Sequence, residues 1–130
     1  MPAMARPNRP TDAELAILRV LWRRGPSTVR EVLDESQSSS QGYTTVLKLL
    51  QIMTDKGLVL RNESQRTHVY RPARSEAQTQ RQLVGDLLER AFGGSAKQLI
   101  LRALDAKRAP PVELREIRKL IEDMTKEPQQ

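Results

Sequence analysis

The sequence predicts a mostly α-helical chain with one small β-hairpin, and three observations lead there. Apolar residues recur at helical spacing over six stretches separated by Gly, Pro or polar breaks. Between Gly57 and Pro72 that period gives way to two short strand-like segments around the polar run NESQR. From Ser75 the helical period returns and holds until about Thr125. The predicted order is an N-terminal winged helix-turn-helix over 11–74 and a three-helix dimerisation region over 75–125.

Met1 to Pro10 hold three prolines and no hydrophobic period, which reads as a flexible arm. Order begins at Thr11, where Thr11-Asp-Ala-Glu14 fits a capping box. Leu15, Leu18, Leu21 and Trp22 then line one side of a first helix that stops at Gly25-Pro26. A second helix starts near Ser27 or Thr28, has Glu31 three residues after Thr28, and buries Val29, Val32 and Leu33. Ser36 to Gln41 has no apolar residue to bury and many side chains that bond locally to the backbone, so it is a turn.

The third helix runs from about Tyr43 to Lys56, and Gly57 supplies the left-handed position that ends it. Val46, Leu49, Leu50 and Met53 form its apolar stripe, while Thr44, Lys48 and Gln51 project from the opposite side. One side packs, and the other is free to enter a groove. Leu58 to Arg61 and Thr67 to Arg71 are the expected strands, with Asn62 to Arg66 as the hairpin tip and His68 in mid-strand. Ser75-Glu-Ala-Gln78 and Ser95-Ala-Lys-Gln98 open the fourth and fifth helices, which a Gly93-Gly94 break separates. Pro110-Pro111 precedes the sixth, and 126–130 form a flexible tail.

Charge points to a polyanionic partner. The sequence has 22 basic and 16 acidic residues, a formal charge of +6, and an isoelectric point near 10.2. Met1 to Arg74 hold 12 Lys/Arg against 7 Asp/Glu, whereas Ser75 to Gln130 hold 10 against 9. The excess therefore sits with the hairpin and third helix. Cysteine is absent, which excludes disulfides and thiolate metal sites, and the apolar runs fall far below the roughly 20 residues of a membrane span. These features, with no signal-peptide pattern, predict a cytoplasmic protein that is not inserted in a membrane.

No catalytic set emerges from one histidine, no Gly-rich phosphate loop and no G-x-S-x-G elbow. His68 reads as a strand residue or a phosphate contact rather than a catalyst, and neither a cofactor nor a metal is expected. The expected DNA contacts are Gln41, Tyr43, Thr44, Thr45, Lys48 and Gln51 on or beside the third helix. Tyr43 has a competing role in packing against the first helix. Arg61, Arg66 and Arg71 of the hairpin suit phosphates, and they suit equally the solvated, charged edge that resists strand addition.

The C-terminal helices carry apolar residues that short helices cannot cover alone: Leu87 and Leu88, then Leu99, Ile100 and Leu104, then Leu114, Ile117 and Ile121. Pairing with a second copy covers them, and the alternative is that they fold back on the N-terminal domain. Dimerisation also suits DNA half-sites about 34 to 36 Å apart. The rival functional reading is a protein-interaction module whose basic surface is incidental.

E-L-A-I-L-R-V-L-W (Glu14 to Trp22), Y-T-T-V-L-K-L-L (Tyr43 to Leu50), K-G-L-V (Lys56 to Val59) and V-Y-R-P (Val69 to Pro72) resemble the penicillinase repressor family of bacterial regulators. The resemblance runs from about Thr11 to Met124. It implies a homodimeric winged-helix repressor on a palindromic operator, with Tyr43 to Lys56 as recognition helix and Asn62 to Arg66 as wing tip. In antibiotic-responsive members it implies a further partner, a membrane-embedded sensor peptidase whose signal leads to cleavage in the dimerisation region. Two departures stand out: Arg102-Ala103 occupies the place of the Asn-Phe bond cut in those members, and the cysteine pairs of copper-responsive relatives are missing.

Overall fold

The computed structural model describes residues 9–36 and 42–126. Three helices come first: α1 (Asp12–Arg24), α2 (Val29–Glu35) and α3 (Tyr43–Lys56). A hairpin of β1 (Val59–Asn62) and β2 (Val69–Pro72) follows, and then α4 (Glu76–Phe92), α5 (Ala96–Ala106) and α6 (Pro111–Lys126). The chain forms two compact units, one reaching Asp86 and the other beginning at Leu87. No helix among the described residues is long and apolar enough to cross a membrane.

Capping fixes where the helices start. Thr11 accepts from the Glu14 N–H while the Glu14 carboxylate accepts from the Thr11 N–H, and Thr28 and Glu31 repeat the exchange at α2. Ser75 and Gln78 do the same before α4. Ser95 accepts from the Gln98 N–H before α5. Gly57 ends α3 in the left-handed region, with φ 80° and ψ 17°, a conformation that strains any residue with a Cβ.

Ser27 has a role the sequence did not foretell. It forms a β-bridge with Tyr70, each N–H donating to the other's carbonyl at 2.9 and 2.8 Å, so the hairpin gains a third backbone partner. Helix α2 is thus capped by Thr28 rather than Ser27. The core of the first unit brings together Leu18 and Leu21 of α1, Val32 of α2, Val46, Leu50 and Met53 of α3, and Val59 and Tyr70 of the hairpin. Fully burying a side chain such as Leu50 stabilises by about 2 kcal/mol. The α1 stripe is centred elsewhere than expected: Ile17 and Val20 are buried, while Leu15 and Trp22 are half-buried. Leu33 and Leu49 are likewise half-buried and pack against the core from its margin.

The hairpin is displaced relative to the sequence reading. Its register pairs Val59 with Pro72, Leu60 with Arg71, Arg61 with Tyr70 and Asn62 with Val69. Leu58 lies outside the strand because its N–H caps α3 by donating to the Met53 carbonyl at 2.9 Å. At the other end Asn62 Oδ1 accepts from the Ser64 N–H at 2.9 Å, a side-chain turn that closes β1. His68 consequently falls in the connection, one residue before β2, and not in mid-strand.

In the second unit, Gly93 and Gly94 both take positive φ, 56° and 84°, and break the chain between α4 and α5. Neither α5 nor α6 has a buried residue.

Candidate nucleic-acid interface

Helix α3 is held from behind and open in front. Val46, Leu50 and Met53 are at most 1% exposed, and the residues half a turn away, Thr44, Lys48 and Gln51, are all exposed. They form one row at i, i+4 and i+7, and exposed Thr45 and Ile52 flank it. Lys48 and Gln51 have no partner within the protein among the described residues, so their donors and acceptors are available to a ligand. A hydroxyl, an ammonium and a carboxamide in one exposed row suit the donor and acceptor pattern of a major groove. Gln41 lies outside the described residues.

Tyr43, for which packing against α1 was the competing role, is placed at the open end of α3. It is 43% exposed at the first position of α3, and the Arg30 guanidinium of α2 lies over its ring, 5.2 Å from the centroid. The sequence reading missed Arg30, although one signal was present: it is a cation in the first turn of α2, where the helix dipole favours anions.

The hairpin arginines divide into separate environments. Arg61 pairs across the ribbon with Tyr70, which is 1% exposed, whereas Arg71 pairs with Leu60, which is 43% exposed. Cross-strand partners share a face, so Arg61 and Arg71 project from opposite faces of the ribbon. Arg61 Nε donates to Glu63 Oε2 at 2.7 Å, and this bond, with a smaller contribution from Tyr70, holds its guanidinium even further into the protonated range. Much of that cation's charge is answered inside the hairpin. Arg66 is exposed and has no carboxylate partner among the described residues.

Arg66 and His68 meet α3 across a cleft of about 220 Å³ lined by Val29, Tyr43, Leu47, Arg66, Thr67, His68 and Tyr70. That lining contains no carboxylate. His68 thus belongs beside Tyr43, a proximity created by the hairpin folding back and invisible in a linear reading.

Neighbouring charges are used structurally. Arg24 pairs with Glu31 at 2.7 Å and donates to the Ser27 hydroxyl at 3.1 Å, and Arg23 lies 3.9 Å from Glu35. The Thr28 N–H, and then the Arg24 guanidinium, hold the Glu31 carboxyl below its ordinary value of 4.5. Trp22 Nε1 donates to the Arg74 carbonyl at 3.0 Å and ties the end of the hairpin to α1. Among the described residues no group of three or more His, Cys, Asp or Glu is placed to hold a metal ion.

The residues proposed for dimerisation are uncovered to different degrees. Leu87, Ile100, Leu114 and Ile121 are exposed, at 48%, 41%, 44% and 49%, while Leu88, Leu99, Leu104 and Ile117 are half-buried. Leu120 and Met124 add further exposed apolar surface on α6, at 59% and 69%.

Residues 10–123 match the family model described as Penicillinase repressor. The chain is 35% identical over 100 residues to the transcriptional regulator BlaI of Mycobacterium tuberculosis, covering 75% of this chain and 72% of that one. It is 25% identical over 114 residues to the penicillinase repressor of Bacillus licheniformis, covering 87% and 89%. Among solved structures it is similar to the solution structure of the DNA-binding domain of the repressor BlaI, at 28% sequence identity and a TM-score of 0.48. That match covers 57% of this chain and 92% of the other.

Proposed function

Because the chain belongs to the penicillinase repressor family, we propose that it represses transcription as a homodimer on a palindromic operator, each copy placing α3 in the major groove and its hairpin on the flanking backbone. It is a transcriptional regulator and not an enzyme. The observation that carries the reading is the exposed row Thr44, Lys48 and Gln51 on a helix whose opposite side is locked in the core. A rigid helix with an unpartnered polar front is what groove recognition requires.

Pairing of two copies follows from the exposed apolar residues of α5 and α6, since surface of this kind on short helices is normally covered by a partner. Release of the operator belongs to the same region. Arg102 and Ala103 are both exposed on α5, so a peptidase acting there would cut the pairing helices away from the reading ones.

A gel-shift titration against the DNA upstream of the protein's own gene, with non-specific competitor, tests the reading. Lys48→Ala combined with Gln51→Ala removes two contacts from each copy and should weaken the selective complex at least about a thousandfold, since each good base contact is worth roughly 1–3 kcal/mol. Wild-type affinity and selectivity in that double variant would show that α3 does not read the bases.

A further inference from the structure

We propose that Arg30 grips a backbone phosphate of the operator and that the ring of Tyr43 holds it in position, so that α2 contributes to the interface together with α3 and the hairpin. The proposal rests on the reading of α3 as the helix that faces DNA.

The arginines around α2 are treated differently by the fold. Arg24 and Arg23 are answered by Glu31 and Glu35, at 2.7 and 3.9 Å. Arg30 has Asp34 four residues further along its own helix, the spacing at which ion pairs form on a helix surface, yet it makes no such pair. Its guanidinium lies instead over Tyr43, 5.2 Å from the ring centroid. With its carbon over the ring, the guanidinium donates to no hydrogen-bond or carboxylate partner among the described residues, so its N–H groups are available. A planar fork of donors matches two oxygens of a phosphodiester.

The location is consistent with that ligand. Tyr43 immediately precedes Thr44 in α3, and it lines the cleft that also carries Arg66, Thr67 and His68. A phosphate at this end of α3 meets cations and hydroxyls and no carboxylate of the cleft wall. Tyr43 therefore acts through Arg30, as a positioning residue, and its ring rather than its hydroxyl is the part that matters.

The full chain should be titrated with its upstream DNA and with an unrelated duplex over a range of salt concentrations. Arg30→Ala is expected to weaken binding at least about tenfold on both duplexes and to reduce the salt slope by about two, one for each copy of the dimer. Arg30→Lys should restore the slope but only part of the affinity, because an ammonium keeps the charge without the fork. Tyr43→Phe should bind within about twofold of wild type. Tyr43→Ala should fall as far as Arg30→Ala, with little added when the two are combined. Both side chains are exposed, so thermal melting of the variants should match wild type and separate lost contacts from lost folding. Unchanged affinity and slope in Arg30→Ala would overturn the proposal, as would a Tyr43→Phe variant as weak as Tyr43→Ala. If the Lys48 and Gln51 double variant still binds selectively, the failure lies instead with the assignment of α3.

Discussion

Glu14 is 2% exposed, and its Oε1 accepts both from the Thr11 N–H at 2.9 Å and from Lys56 Nζ at 2.7 Å. Lys56 also reaches the Arg9 carbonyl at 3.5 Å, and Arg9 itself pairs with Asp86 at 2.9 Å. The start of α1 and the end of α3 are thus joined by a nearly buried ion pair. In the sequence Glu14 was legible as a capping partner and Lys56 as a cation near a helix C-terminus, but not their meeting across 42 residues. Removing one member of such a pair leaves the other charge desolvated and unanswered. Lys56→Met is expected to lower stability by about 3 kcal/mol in urea denaturation, well above the effect of an exposed lysine. A loss below about 0.5 kcal/mol would mean that water reaches Glu14 freely.

At the scale of elements, α2 shows how a short helix is kept. Its seven residues gain little from intrinsic propensity, and the Thr28–Glu31 exchange supplies a start that Arg24 reinforces. Because these contacts lower the Glu31 pKa in the folded chain, the carboxylate stabilises the fold above its unfolded value of about 4.5. That contribution disappears as the pH falls through the folded value. Glu31→Gln should therefore melt below wild type at about pH 7, with the gap closing as the pH falls below the ordinary value of 4.5. A gap that persists in acid would assign Glu31 a role independent of its charge. The hairpin was legible as two strands around a polar tip, but its register was not. Asn62 turning back on Ser64 and Leu58 capping α3 decided where the strands begin and end, and so placed His68 in the connection.

For the whole molecule, the proposed pairing of two copies rests most on the exposed apolar side chains of α6. Introducing a charge there should cost pairing without disturbing the first unit, whose core is formed by other residues. Ile121→Glu is predicted to shift sedimentation at micromolar concentration from dimer toward monomer. Operator affinity should fall with it by at least tenfold, because the two half-sites are no longer linked. A wild-type chain that sediments as a monomer under those conditions would contradict the pairing outright.

Local chemistry by itself determined the order of elements, since the starts of α1, α2, α4 and α5 are written as Thr or Ser followed three residues later by Glu or Gln, α6 opens at Pro111, and α3 ends at a glycine. Periodicity likewise determined which side of α3 is buried and which is offered outward. Tertiary structure alone decided what depends on distant residues meeting: the Ser27–Tyr70 bridge, the opposite faces of Arg61 and Arg71, the cleft that brings His68 to Tyr43, and the stacking of Arg30. The physical reason is range. Caps and periods act over three or four residues and leave a mark in the chain, whereas these pairings are fixed by how α2, α3 and the hairpin pack around a shared core.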